Sequence, residues 1–246
     1  MDQLVTGRRE PLLVALDVAS AAEALALAER LRDVVGGLKV GSRLFTSEGP
    51  DFVRALARDN WRVFLALKFG DIRNTVAQAV AAATSLGVWM VNVHASGGLK
   101  MMQAAHAAAQ ETAASENRTP PLVIAVTVLT SMNEAMLAET GVSREVQDQV
   151  ARLADLAQRA GLDGVVASPQ ETAMLRKQCG PDFKIVTPGI RGGAAATGAK
   201  DDQQRTMGPG EALAAGASYL VVGRPIIAAV NARKAAEDIA AEMGGR

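Results

Sequence analysis

The sequence predicts an α/β protein folded as one closed (β/α)8 barrel. Three observations predict it: short apolar runs alternate with longer alanine-rich amphipathic segments, eight such runs can be counted, and no composition break divides the chain. Repeated strand-helix units build a parallel sheet, and eight of them favour closure into a TIM barrel over an open sheet. At 246 residues with 49% hydrophobic content, the chain can bury that core as a single domain spanning 1–246.

The runs are 12–17 (LLVALD), 38–41 (LKVG), 63–68 (VFLALK), 89–94 (WMVNVH), 122–128 (LVIAVTV), 163–167 (DGVVA), 184–187 (KIVT) and 219–222 (YLVV). Their brevity suits strands rather than buried helices. Helical patterns lie between them, such as 21–33, 74–86, 99–114, 145–160, 169–178, 209–215 and 228–242. Residues 115–121 (SENRTPP) carry a double proline and read as the connection from a helix to the fifth strand. Residues 192–204 (GGAAATGAKDDQQ) are too long for an idle connection in a compact barrel. They follow the seventh strand, where barrels often hold phosphate, and read as a mobile lid that Gly193 and Gly198 allow to close.

Composition narrows the function. Twenty-six basic and twenty-six acidic residues cancel, which argues against a broad nucleic-acid or membrane surface and for a small-molecule site. Cys179 is the only cysteine, so neither an intrachain disulfide nor a cysteine zinc site can form, and a reducing, cytoplasmic compartment fits. The N-terminal MDQLVTGRREP lacks the apolar core of a secretory signal, and no run approaches the roughly 18 apolar residues of a spanning helix. With two histidines and no spaced carboxylate cluster, no metal site is expected. His94 and Asn92 read as hydrogen-bonded structural residues, while Met101, Met102, Trp61 and Trp89 read as packing.

The chemistry concentrates at strand ends. Side chains alternate along a strand, so Val63, Leu65 and Leu67 share one face while Phe64, Ala66 and Lys68 share the other. Lys68 therefore stands at the carboxyl end of the third strand, where barrel enzymes place catalytic groups. Asp17, Lys39, Asp71, His94, Thr130, Ser131, Ser168, Arg191 and Arg224 stand at or just beyond the ends of other runs, and their convergence on one face of the barrel makes a polar site.

The segments VALDV (14–18), LKVGSRLFTSEGP (38–50), LKFGDIRNT (67–75), VNVHASGG (91–98), AVTVLTSM (125–132), GLDGVVASPQE (161–171), VTPGIR (186–191), DDQQR (201–205) and YLVVGRP (219–225) occur in that order. As a set they resemble the orotidine 5'-phosphate decarboxylases of the bacterial type. The resemblance implies a cofactor-free and metal-free enzyme that converts orotidine monophosphate (OMP) to uridine monophosphate (UMP) and carbon dioxide, a step of pyrimidine biosynthesis. It implies a homodimer with sites at the interface, and a catalytic Lys and Asp array comprising Lys39, Lys68 and Asp71, with Asp71 reaching the neighbour's site. It further implies that Asp17, Lys39 and Thr75 contact the ribose and that Thr130 or Ser131 meets the pyrimidine. Gln203, Gly223 and Arg224 would hold the phosphate, with Arg191 nearby; a guanidinium fork and backbone amides suit a dianion.

One position departs at the centre. The first aspartate of the family's Asp-x-Lys-x-x-Asp motif falls on Ala66, so its role does not carry over. Decarboxylation leaves electron density on a ring carbon, and loss of a fixed catalytic charge costs on the order of 10²-fold in rate or more. Severely reduced turnover with the nucleotide pocket retained is therefore expected. Gly70 stands where the family usually has His and Arg73 where it has Pro, and Gly192 and Gly208 stand where Pro and Thr are common. This clustering of departures around the catalytic segment points to an engineered or deliberately altered version of the enzyme. Two alternatives remain: a different lysine-based activity, in which a neutral amine forms a Schiff base with a carbonyl substrate, and an inactive nucleotide-binding scaffold.

Overall fold

The computed structural model describes residues 9–192 and 206–244. Among them, eight parallel strands pair in chain order and close into a barrel. They are β1 (Arg9–Ala15), β2 (Val35–Gly41), β3 (Val63–Phe69), β4 (Met90–His94), β5 (Leu122–Val126), β6 (Gly164–Val166), β7 (Lys184–Pro188) and β8 (Tyr219–Val222), each on an expected run. The helices are α1 (Ala21–Leu31), α2 (Ser42–Arg58), α3 (Arg73–Ser85), α4 (Leu99–Ser115), α5 (Glu134–Glu139), α6 (Val146–Arg159), α7 (Thr172–Cys179), α8 (Pro209–Ala214), α9 (Arg224–Ile227) and α10 (Ala232–Glu242). None of the described helices is long and apolar enough to cross a membrane.

Local chemistry accounts for some of the boundaries. Ser20 caps α1 by accepting the Glu23 amide at 3.3 Å, and Asn231 caps α10 by accepting the Lys234 amide at 3.0 Å. The expected pattern at 169–178 opens with a 3-10 turn over Pro169–Glu171, and that at 228–242 becomes helical only at Ala232, as α10, after a turn that follows α9. Three helices, α2, α5 and the single turn α9, lie outside the expected patterns. Gly49 (φ 73°, ψ −174°) breaks α2, and Pro50 restarts it, so its apolar face of Leu44, Phe52, Val53 and Leu56 never shows one unbroken period.

The strands separate two apolar cores. The outer one lies between barrel and helices and takes Leu12, Val14, Leu65, Val91 and Val93 from the strands and Leu27, Val53, Val80, Met102 and Leu153 from the helices. Burial of each large apolar side chain there contributes roughly 1.5–3 kcal/mol. The inner one is smaller: Leu13, Ala15, Phe64, Ala66, Met90, Ile124, Val186 and Val221 fill the barrel's middle. The alternation expected along β3 is thus observed, with Phe64, Ala66 and Lys68 inward and Leu65 outward.

The base of the barrel, at the strands' N-terminal ends, is closed by Trp89 and Tyr219 in an edge-to-face pair at 5.1 Å. The Arg62 guanidinium lies 4.1 Å from the Trp89 ring centroid and pairs with Glu10 at 2.8 Å. Arg176, at the end of α7, donates to four backbone carbonyls: Gly180, Pro181 (3.1 Å), Phe183 (2.7 Å) and Gly216 (2.8 Å). It also reaches Ser218 Oγ at 3.1 Å, tying the turns that enter β7 and β8. Trp61 and the Met101–Met102 pair are buried packing residues, as expected.

Candidate active site

At the opposite end the strands deliver polar groups into a cavity of about 180 Å³. Lys39 from β2, Lys68 from β3, Asn92 from β4 and Thr130 beyond β5 meet Phe64, Ala66, Val126, Val166, Val186, Pro188 and Val221. The inner core forms the cavity's floor and walls, so the lysines stand over apolar surface.

Leu16 donates its amide to the Lys39 carbonyl at 2.9 Å, which brings the strand end carrying Asp17 beside β2. Asp17 Oδ1 then lies 3.6 Å from Lys39 Nζ. Gly41 makes room for that pair, because an added Cβ would sit 3.2 Å from Lys39 Nζ and 3.3 Å from Asp17 Oδ1. Gly223 follows β8 beside Asp17, and a Cβ added there would lie 4.0 Å from Asp17 Oδ2.

Lys68 is the least ordinary residue of the site. Its φ of 57° lies in the left-handed region, which costs a non-glycine residue about 1–2 kcal/mol. Its Nζ lies 3.5 Å from the Ala66 carbonyl oxygen and its backbone amide donates to Asn92 Oδ1 at 2.8 Å. Burial first, and then the like charge of Lys39, holds the Lys68 ammonium below the ordinary lysine value of 10.5, with Asp17 opposing. Burial and the Lys68 charge together lower His94 below 6.5. An isolated alanine methyl therefore adjoins this cation, inside the barrel and 1% exposed.

The structure brings only part of the expected set together. Lys39, Lys68 and Thr130 line the cavity, and Asp17 joins through Lys39. Asp71, Arg73 and Thr75 are exposed on the turn into α3, outside their own chain's cavity, and Asp71 Oδ1 accepts the Ile72 amide at 2.6 Å. Ser131 is half-buried beside Thr130, and Gly223 and Arg224 start the single turn α9 after β8. Arg191, whose amide bonds the Met207 carbonyl at 3.0 Å, stands after β7. Gln203 and all of the expected 192–204 lid but Gly192 lie outside the described residues. Among the described residues, no three His, Cys, Asp or Glu side chains are placed to hold a metal ion.

Several departures from the family pattern acquire physical content. Gly70 leaves the flank of His94 open, since its added Cβ would lie 3.7 Å from the imidazole Cδ2. Arg73 is the first residue of α3, where proline is favoured and a cation opposes the helix dipole. Gly208 is the N-cap of α8, where a hydroxyl would serve, and Gly192 has no room for a side chain against Pro209 and Glu242. Asn92 is the residue whose part the sequence reading understated. Its inward parity with Met90 on β4 was readable, but the bond to Lys68 depends on inter-strand register.

The family model described as "Orotidine 5'-phosphate decarboxylase / HUMPS family" matches residues 10–239. The chain belongs to this family. It is 53% identical over 236 residues to an orotidine 5'-phosphate decarboxylase of Moorella thermoacetica, covering 96% of this chain and 92% of that one. A namesake from Chromobacterium violaceum is 55% identical over 221 residues, covering 90% and 86%. The crystal structure of orotidine 5'-phosphate decarboxylase from Lactobacillus acidophilus superposes with a TM-score of 0.83 at 34% identity, covering 96% of this chain and all of that one. An uncharacterized conserved protein from Geobacillus kaustophilus gives 0.81 at 36%, covering 94% of this chain and 99% of that one.

Proposed function

We propose that this chain decarboxylates OMP to UMP, slowly, as a cytoplasmic homodimer. The observation that carries the reading is the Lys68 ammonium over an apolar cavity, flanked by Lys39 with Asp17 on one side and by the Ala66 methyl on the other. As the carboxylate departs as carbon dioxide, the electron pair of the broken bond stays on the ring carbon. Lys68 stabilises that charge and then transfers its proton to the carbon, giving UMP and a neutral amine. Lys39 and Asp17 orient the ribose, Thr130 and Ser131 face the pyrimidine, and Gly223 and Arg224, with Gln203 and Arg191, take the phosphate. Those roles rest on the family resemblance and, for all of these residues but Gln203, on their placement at or just beyond the strand ends.

The exposed turn carrying Asp71, Arg73 and Thr75 supports a dimer in which it serves the neighbour's site; Ile72 on the same turn is 73% exposed, an apolar side chain suited to an interface. Without a carboxylate at position 66, nothing on β3 crowds the substrate's carboxylate or fixes Lys68 electrostatically, so turnover falls while binding persists.

Assay of the purified protein with OMP, beside a thermal shift with UMP, tests this. Measurable but strongly reduced turnover with stabilisation by UMP is the predicted outcome; near-normal turnover contradicts the weight given to Ala66. Stabilisation without turnover indicates a nucleotide-binding scaffold instead. The depressed amine and the apolar walls favour one other reading, in which Lys68 forms a Schiff base with a small ketone or aldehyde. Borohydride trapping followed by mass spectrometry decides it: an adduct on Lys68 supports that activity, and unmodified protein removes it.

A further inference from the structure

We infer that Asn92 is the positioning residue of Lys68, holding the bulge in β3 that aims the ammonium into the cavity. The inference rests on the decarboxylase reading for its kinetic consequence and on backbone geometry for its substance.

The evidence is in the ladder between β3 and β4. Phe64 pairs with Met90 and Leu65 with Val91, but the next paired position joins Phe69 to Val93. Three residues of β3, Ala66, Leu67 and Lys68, thus stand opposite one residue of β4, Asn92. Such an irregularity forfeits ladder hydrogen bonds and redirects the side chains it carries. Here the Lys68 amide, inside the irregular stretch, donates to Asn92 Oδ1 at 2.8 Å. Because the donor is a backbone N–H, chemistry assigns the oxygen of the amide to this contact and leaves the nitrogen on the other side.

Burial and conformation make the contact consequential. Asn92 is 2% exposed, on the face of β4 that it shares with Met90 and His94, so a buried amide there has to be matched. Lys68 adopts φ 57°, which a lysine leaves unless its surroundings over-determine it. The Asn92 acceptor supplies a constraint of that kind within the bulge. Among the described residues no acceptor takes the Asn92 amide hydrogens, and the residue lines the cavity, so its remaining polarity faces the substrate's space. A regular extended Lys68 would instead pair along β4, displacing the ammonium from its present position beside the Ala66 carbonyl.

The test compares Asn92→Ala with Asn92→Asp, which keeps an acceptor of the same reach; Asn92→Ser replaces the alanine variant if that does not fold. For Asn92→Ala, kcat for OMP falls roughly 10²-fold, as a misplaced reacting group does, while KM stays within about threefold. Asn92→Asp recovers turnover toward the parent. Crystal structures of both variants provide the second readout: Lys68 leaves the left-handed region in Asn92→Ala and keeps it in Asn92→Asp. Unchanged kcat in Asn92→Ala, a loss confined to KM, failure of Asn92→Asp to recover, or an unaltered Lys68 backbone in Asn92→Ala overturns the inference. If the parent itself turns over no OMP, the decarboxylase reading fails, and the two crystal structures still decide whether Asn92 sets the Lys68 backbone.

Discussion

The two ends of this barrel solve opposite problems. At the base, polar groups are matched: Arg176 serves four carbonyls of two turns, Asp163 accepts the Val123 amide at 2.7 Å, and Arg62 covers Trp89. At the mouth, Lys68 is half-buried in a strained backbone, and neither α2 nor α3 has a side-chain cap. Barrels commonly divide labour this way, with stability at the N-terminal face and chemistry at the C-terminal face. The comparison teaches that substitutions at the two ends should separate cleanly into losses of stability and losses of turnover.

The largest stability effect is expected at the base. Arg176→Ala leaves several partly buried carbonyls without donors and should cost about 2–4 kcal/mol. A calorimetric scan should show Tm lower by roughly 5–15 °C, with KM for OMP unchanged below the transition. An equal loss of turnover at low temperature would mean that the two ends are coupled.

At the mouth the sign reverses. Lys68→Gly removes the left-handed penalty and the half-buried cation, and should raise stability by about 1 kcal/mol in denaturant titration while abolishing turnover. A companion prediction follows from the depressed Lys68 pKa. The folded protein releases this proton at lower pH than the unfolded chain, whose lysine keeps its ordinary value of 10.5. Below that window the buried ammonium destabilises the fold in full; as pH rises through it toward 10.5, the unfolded chain binds the extra proton and stability recovers. The stability gap between parent and Lys68→Gly should therefore narrow with rising pH, and a gap that widens contradicts the burial.

The smallest effect sharpens the same contrast. Arg73→Pro places proline at the first position of α3 after Ile72, whose ψ of 149° already suits a residue before proline. It removes a cation from the helix start and should stabilise by about 0.5–1 kcal/mol. Thermal unfolding checks it, and destabilisation would show that Arg73 has contacts in the dimer.

Much of this was legible in the sequence because strand and helix carry different periods. Runs such as VFLALK announce a strand whose inward face ends in Lys68, and the barrel bears that out. The helix α2 escaped because Gly49 and Pro50 cut its period, and α5 because six residues hold too little of one. Lys39, Lys68 and Thr130 were readable as strand-end groups, whereas the bond from Asn92 to Lys68 depends on a bulge that only the pairing of two strands defines. Asp17 was readable as polar but not as the partner of Lys39, since that contact is made by residues of neighbouring strands.

The central claim is that Lys68 faces the reacting carbon without its carboxylate companion on β3. Steady-state turnover of OMP by Ala66→Asp, measured beside the parent, tests it most directly. The account predicts a rise in kcat/KM on the order of 10²-fold or more, with affinity for UMP little changed. Equal turnover in the two proteins would contradict it.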